Sequence, residues 1–201
     1  MINNETSKHF SLLILLIAFV VFVYGTIKAI DIVNKTQIST EDGIYTSYVT
    51  NAQEIKLKTH ALIRNCTSDM CKVQALLDYV SNIPYSTSTF QQKSPQKTIQ
   101  ENFGDCDDKS NLLISMLHAI GIEAYFVLVP KHIFVIVPFN DKRLKLKKGL
   151  WLNGQKFYIL ESTARDSKIG FPLHYKLEEI DSIIEPFSNK KIEIKRLKYK
   201  L

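Results

Sequence analysis

Cysteine, glycine and proline are all scarce in this chain of 201 residues, which has 3 Cys, 7 Gly and 6 Pro. So few cysteines exclude a small scaffold built on disulfides. So few glycines and prolines exclude a collagen-like or low-complexity chain. Hydrophobic residues make up 45% of the sequence and aromatic residues 10%. This content is typical of a folded protein and excludes disorder as the main state.

The hydrophobic residues are concentrated near the N-terminus, where the run from Phe10 to Ile27 has no charged side chain. As a helix this run covers roughly 27 Å, close to the hydrocarbon thickness of a bilayer. We predict an uncleaved membrane anchor, flanked by Lys8 and Lys28. One alternative is a cleaved signal peptide, although no clear Ala-x-Ala site follows the run. The other is a soluble core helix, which a chain of this size can hardly enclose.

The remaining sequence predicts one domain. We assign residues 1–35 to the anchor and its flanks, 36–46 to a polar linker, and 47–201 to a domain that ends in a basic strand or tail. Cys66 and Cys71 are close enough in sequence to form a disulfide, which requires an oxidising compartment; two half-buried thiols on a helix are the alternative. The charge difference across the anchor is small. We expect the N-terminus inside and the domain outside the cytoplasm.

Helical patterns precede strand patterns along this domain. Apolar spacing predicts a helix from about Tyr48 to Asn65, a second helix capped by Ser68 or Asp69, and a third that begins near Cys106 and ends at Gly121. A polar loop is predicted over residues 86–97. Strands are predicted over 122–129, 133–139, 150–152 and 157–160, with an Asn-Gly turn between the last two. The order predicts an α+β fold with one helix packed on an antiparallel sheet.

Cys106, His132 and Glu161 are the candidate catalytic residues. Cys106 lies in the first helical turn, where free N–H groups and the helix dipole favour a thiolate or an oxyanion. The neighbouring acids Asp105 and Asp107 oppose a thiolate, so a positively charged His is needed to offset them. His132 opens one predicted strand and Glu161 ends another. If these strands are neighbours, the carboxylate can orient the imidazole.

Six segments surround and include these candidates: Gly104-Asp105-Cys106-Asp107-Asp108-Lys109-Ser110, Leu112-Leu113, Gly121-Ile122-Glu123-Ala124, His132-Ile133-Phe134-Val135, residues 158–164 and Ile169-Gly170. Together they resemble the bacterial and archaeal transglutaminase-like superfamily. The resemblance implies a papain-like core with a Cys-His-acid triad. Carried over by position, Cys106 is the nucleophile, His132 the general base and acid, and Glu161 the orienting acid, where many relatives have Asp. An upstream Tyr or Gln is a candidate oxyanion donor.

The implied reaction is acyl transfer through a Cys106 thioester with a peptide or isopeptide amide, ending in proteolysis, deamidation or cross-linking. The substrate is then a peptide or protein. A catalytically inactive binding module in a cell-envelope assembly is the alternative. We predict no cofactor and no metal site, because His60 and His174 lack acidic or Cys neighbours at metal spacing. His118 is interpreted as structural.

Two basic stretches stand out in this chain of net charge +6. One consists of Lys142, Arg143, Lys145, Lys147 and Lys148; the other is the tail 189–201, with six basic residues and one acid. The alternation of apolar residues in the tail changes phase at Lys195-Arg196, which predicts a bulged edge strand guarded by lysines. Contact with anionic lipid or an acidic wall polymer is the functional alternative. Nucleic acid is not a predicted partner.

Overall fold

The computed structural model describes residues 4–40, 43–87 and 92–201 and divides into two compact units, Met1–Gln37 and Ile38–Leu201. Helix α1 (Asn4–Thr36) makes up almost all of the first unit. Its segment His9–Ile30 is long and apolar enough to cross a membrane. Phe10, Leu16 and Phe22 are more than half exposed, unlike the side chains of a soluble core helix. A membrane span and a signal sequence are the two interpretations that fit α1.

The second unit contains, among its described residues, four α-helices that precede a large sheet. These are α2 (Gln53–Ile63), α3 (Asp69–Asn82), α4 (Pro95–Glu101) and α5 (Cys106–His118). Helix α5 is central, because α2, α3, α4 and the sheet all contact it. Its leucines and Met116 are fully buried. The helix is buried on every side from Asp108 to Leu117, so its polar residues in this range must find hydrogen-bond partners inside the protein.

The large sheet is antiparallel throughout, and its strands follow the order β8-β7-β3-β4-β6-β5-β9. The strands are β3 (Tyr125–Val129), β4 (His132–Pro138), β5 (Gly149–Leu152), β6 (Gln155–Leu160), β7 (Ser182–Glu185), β8 (Lys190–Lys191) and β9 (Leu197–Lys200). A separate two-stranded sheet pairs β1 (Gln37–Thr40) with β2 (Gly43–Thr46). Helix α5 packs against β4, near the middle of the large sheet.

The sheet is strongly curled, as the chain itself requires. Strands β8 and β9 lie at opposite edges, yet only residues 192–196 connect them. Seven flat strands would separate the two edges by about 29 Å, whereas the connection reaches at most about 22 Å. The outer strands must therefore approach each other. The phase change at Lys195-Arg196 marks this crossing between edges, rather than the single bulged strand that the sequence predicts.

Both faces of the sheet are buried, which accounts for the continuous apolar runs of β3 and β4. Alternate residues such as Phe126, Val135 and Leu160 face the helices and join their core. The intervening residues, including Val127, Phe134, Ile136 and Ile159, form a second core inside the curl. Ile192 and Ile194 of the edge connection pack against this second core. The curled sheet therefore encloses a core of its own.

The predicted fold class is confirmed, with differences at several element boundaries. The Asn153-Gly154 turn forms as predicted, with φ of 50° and 95°, and joins β5 to β6. Helix α2 begins at Gln53 rather than Tyr48, because the Tyr48 and Thr50 N–H groups donate to Asn111 and Ser115 on α5. The predicted linker 36–46 carries β1 and β2. Helix α4 begins within the predicted loop 86–97, of which residues 88–91 lie outside the described part.

Candidate active site

The first turn of α5 is fixed by its own acidic residues. Asp105 is the N-cap, and its carboxylate accepts from the backbone N–H groups of Asp107 and Asp108, both at 3.1 Å. In return, the Asp108 carboxylate accepts from the Asp105 N–H, and it also accepts from the Lys93 N–H at 2.7 Å. This capping box satisfies donors that the helix leaves unpaired. It explains why acids surround Cys106 and sets the position of the thiol.

Cys106 is a partly buried free thiol. Burial, followed by the negative charges of Asp107 and Asp105, raises the pKa of this thiol to about 12. The backbone N–H groups of Ile133 and Asp107 donate toward the sulfur and lower the pKa in part. The helix start alone therefore does not stabilise a thiolate here. The Ile133 contact also places the sulfur beside the first residues of β4.

His132 and Glu161 form a shielded pair at the end of the sheet next to Cys106. Nε2 of His132 lies 2.9 Å from Oε2 of Glu161, and their side chains are only 17% and 11% exposed. The other carboxylate oxygen accepts from the backbone N–H and the hydroxyl of Thr163. Burial opposes the Glu161 charge, but His132 and the two Thr163 donors outweigh it and lower the pKa of the carboxyl. Glu161 is thus held as a carboxylate facing the imidazole.

Polar contacts hold α5 in place behind this pair. Ser110 Oγ lies 3.2 Å from Ser162 Oγ, which joins the helix to the residue after Glu161. The Lys109 ammonium is buried and donates to the carbonyls of Ser81 and Ile83, at 3.1 and 2.8 Å. Burial lowers the pKa of Lys109 to about 8, while the Glu161 charge acts in the opposite direction. Lys109, to which the sequence gives no role, joins α5 to the end of α3.

Tyr175 is a further site residue that the sequence does not single out. Its ring stacks on the His132 imidazole, with centroids 6.0 Å apart and planes at 18°, and also on Phe134. Burial, and then the charges of Glu161 and Cys106, raise the pKa of its phenol. Tyr175 lies in an irregular segment between β6 and β7, so no periodicity could have revealed it. It covers one face of the imidazole.

An upstream Tyr and an upstream Gln both lie near Cys106. Tyr85 is 55% exposed and forms an isolated bridge with Gly104, next to the N-cap. Gln92 donates to the Asp107 carboxylate at 2.9 Å. Burial is the main cause that raises the pKa of Asp107 to about 6; Asp105 and Asp108 add to the effect, while Gln92 and the His132 charge act against it.

The other candidates from the sequence lie outside this cluster. A disulfide joins Cys66 and Cys71, whose Cα atoms are 5.4 Å apart, between α2 and α3. His118, at the last turn of α5, packs on the Phe187 ring at 3.9 Å between centroids. In the described ranges no three His, Cys, Asp or Glu side chains form a group that would hold a metal ion.

Comparison with known proteins finds a similarity to one family in the central part of the chain. The model of the transglutaminase-like superfamily matches residues 57–135, which confirms the predicted resemblance. The matched range includes Cys106 and His132, whereas Glu161 lies beyond it. None of the curated proteins matches the chain.

Solved structures with similar folds include two bacterial proteins described as candidate proteases. One, a candidate cysteine protease from Cytophaga hutchinsonii, is 18% identical with a TM-score of 0.45; the match covers 77% of this chain and 52% of that protein. This chain thus spans about half of its length. The other, from Parabacteroides distasonis, is 16% identical with a TM-score of 0.43 over 70% and 27% of the two chains. Legionella pneumophila LapG is 13% identical, with a TM-score of 0.39 over 61% and 78%.

Proposed function

We propose, on the premise that residues 57–135 are a transglutaminase-like core, that this chain is a membrane-anchored thiol enzyme acting on peptide or isopeptide amides. Cys106 is the nucleophile, His132 the general base and acid, and Glu161 the residue that orients the imidazole. The observation that carries this proposal is the 2.9 Å contact between Nε2 of His132 and Oε2 of Glu161. The Cys106 thiol lies beside this pair, because the first turn of α5 holds it against the start of β4.

The hydrogen bonds of Glu161 support a definite tautomer of His132. A carboxylate can only accept, so Nε2 of His132 carries a proton and donates it to Glu161. In the neutral ring, Nδ1 then has a free lone pair for the thiol proton. The pKa of Cys106, about 12, means that the resting thiol keeps its proton at neutral pH. Proton transfer to His132 therefore accompanies attack on the substrate.

The reaction proceeds in two steps, acylation and deacylation of Cys106. The Cys106 sulfur forms a bond to the amide carbonyl carbon while its proton passes to Nδ1 of His132, giving a tetrahedral oxyanion. The C–N bond then breaks, His132 returns the proton to the leaving amine, and a thioester remains. Water then attacks the thioester carbonyl and gives a proton to Nδ1 of His132; as the C–S bond breaks, this proton returns to the Cys106 sulfur. The hydrolysis is proteolysis or deamidation according to the amide bond that was broken. Attack by a primary amine gives a cross-link.

The Cys106 backbone N–H is the main candidate for an oxyanion donor. The next two N–H groups of the helix are engaged by Asp105, whereas in the described part of the chain no protein group accepts from the Cys106 N–H. A donor preorganised at a helix start stabilises charge that develops in the transition state. We assign the Tyr85 hydroxyl as a second donor, because its phenol lies within the electrostatic influence of Cys106.

The proposed location is a membrane surface outside the cytoplasm, with α1 as an uncleaved anchor. The span His9–Ile30 supports the anchor. The Cys66–Cys71 disulfide supports an oxidising compartment for the domain, because such bonds are rare where thiol reductants are abundant.

The test supplies the full chain with dimethylated casein as acyl donor and a biotin-linked primary amine as acceptor. Three readouts separate the outcomes: new amino termini for proteolysis, ammonia with neither new termini nor bound biotin for deamidation, and bound biotin for cross-linking. Mass spectrometry of the acid-quenched protein should detect an acyl group on Cys106. Cys106→Ala should abolish every signal, whereas His118→Ala should keep it. Equal turnover in Cys106→Ala, or no acyl-enzyme and no product with folded wild type, would overturn the proposal and favour an inactive binding module.

A further inference from the structure

The pairing of β5 with β9 brings together two basic stretches that are far apart in sequence. Lys198 pairs with Trp151, and Lys200 pairs with Gly149, so the C-terminal lysines lie beside the loop that leads into β5. We propose that the resulting basic face docks on the anionic lipid headgroups of a membrane surface. The basic face is defined as Lys145, Leu146, Lys148, Lys198, Lys200 and Leu201.

The charges of the basic face are not neutralised by the protein. All four lysines are exposed, and within the described ranges none of them forms an ion pair with a carboxylate. Strands β5, β6 and β9 contain no Asp or Glu. The neighbouring Arg143, by contrast, is paired with Asp141. The face therefore presents a one-sided positive field, which attracts an anionic surface.

Two exposed leucines interrupt the lysines. Leu146 is 87% exposed and lies between Lys145 and Lys147, and Leu201 is 60% exposed directly after Lys200. Exposed leucines among lysines are typical of a segment that contacts a bilayer, because the leucines enter the boundary of the acyl region while the ammonium groups stay at the headgroups. A soluble polyanion would use only the lysines. A protein interface would be depleted in lysine.

Trp151 lies next to the basic face and gives it a reporter. The Lys200 and Lys156 ammonium groups lie over the indole ring, at 5.0 and 5.9 Å from its centroid. Trp151 is the single tryptophan of the chain, so its fluorescence reports this region alone.

The experiment measures acrylamide quenching of Trp151 in the full chain reconstituted into nanodiscs. Discs of phosphatidylcholine alone are compared with discs of equal parts phosphatidylcholine and phosphatidylglycerol. We expect Trp151 to be shielded only in the anionic discs and to be exposed again in high salt. Lys198→Gln with Lys200→Gln should lower the docked-to-free ratio about 25-fold, at about fivefold per lysine. Leu146→Ser should also weaken docking.

Lys190→Gln with Lys191→Gln is the control, because it removes two positive charges from the same tail outside the basic face, on strand β8, where Lys191 lies 4.0 Å from the Asp181 carboxylate. It should leave quenching unchanged. Equal shielding in both kinds of disc, or an equal effect of the control pair, would overturn the proposal. So would shielding by free inorganic polyphosphate without shielding by anionic discs, which would assign the face to a polymer. Retention of the chain on neutral discs tests the anchor separately.

Discussion

Replacing Glu161 by Gln should change the tautomer of His132 and disable the thiol. A Gln amide has one accepting oxygen and one donating NH₂ group. The two Thr163 donors that now face Oε1 should hold the amide oxygen, which turns the NH₂ group toward Nε2 of His132. Nε2 must then accept a hydrogen bond, and the ring proton moves to Nδ1. An Nδ1 that carries a proton cannot take the proton of Cys106.

The size of the effect follows from the burial of the pair. Both side chains are less than one-fifth exposed, so water cannot replace the lost bond. A hydrogen bond to a charged group contributes about 1.5–3 kcal/mol, or roughly 10- to 150-fold in rate, and the wrong tautomer adds to this. We expect Glu161→Gln to slow the reaction of Cys106 about 100-fold or more. Glu161→Asp keeps the charge but is one methylene shorter, and should cost about tenfold.

The assay is alkylation of Cys106 by iodoacetamide at neutral pH, followed by intact mass. The reading is unambiguous because Cys66 and Cys71 are joined in a disulfide, which leaves one free thiol in the chain. The control is the rate of alkylation of the protein unfolded in guanidinium. No reductant is added, so that the disulfide stays closed, and this rate should be equal for all variants. The reasoning fails if folded Glu161→Gln reacts within threefold of wild type, or if Glu161→Asp is slowed as much as Glu161→Gln.

Three further predictions concern the surroundings of the thiol. Because folding raises the pKa of Asp107 from 3.8 to about 6, wild type loses stability as pH rises through this window; Asp107→Asn should match it near pH 4 and melt higher above pH 6, as measured by thermal scans across pH. Lys109→Met strands two buried carbonyls and should lower the free energy of unfolding in urea by about 2 kcal/mol or more, whereas an unchanged midpoint would contradict this role. Tyr175→Ala should slow Cys106 alkylation several-fold by wetting the imidazole, while Tyr175→Phe, which keeps the stacked ring, should not.

The parts of the fold that follow from local patterns could be predicted from the sequence. The Asn153-Gly154 turn, the Ser68 cap of α3 and the glycine end of α5 each depend on residues adjacent in sequence. The edge strands could not be predicted in this way. The change of phase in the apolar alternation near Lys195 indicates that the backbone changes direction. Only the distance between the two sheet edges shows that the chain crosses from the β8 edge to the β9 edge.

Some residues of the candidate site could likewise be predicted from the sequence, and others could not. Cys106, His132 and Glu161 stand out because each begins or ends an element. The structure places Glu161 against His132 and the Cys106 sulfur against the Ile133 N–H. Tyr175 and Lys109 do not stand out. Tyr175 contacts His132 through an irregular segment, and Lys109 is recognisable only once its ammonium is seen against carbonyls at the end of another helix. Both depend on long-range packing, which leaves no periodic signal.

The acidic residues around Cys106 have two opposing effects: they stabilise the start of α5, and they raise the pKa of the thiol. Asp105 and Asp108 are needed to begin α5, since an N-cap of this kind contributes about 1 kcal/mol. Burial, followed by the charges of Asp107 and of the Asp105 N-cap, raises the pKa of the thiol to about 12, so the helix start by itself does not hold Cys106 as a thiolate. In the proposed mechanism, the reactivity of Cys106 then depends on proton transfer to His132, which Glu161 orients. For this reason, changes at Asp107 and at Glu161 should move Cys106 reactivity in opposite directions.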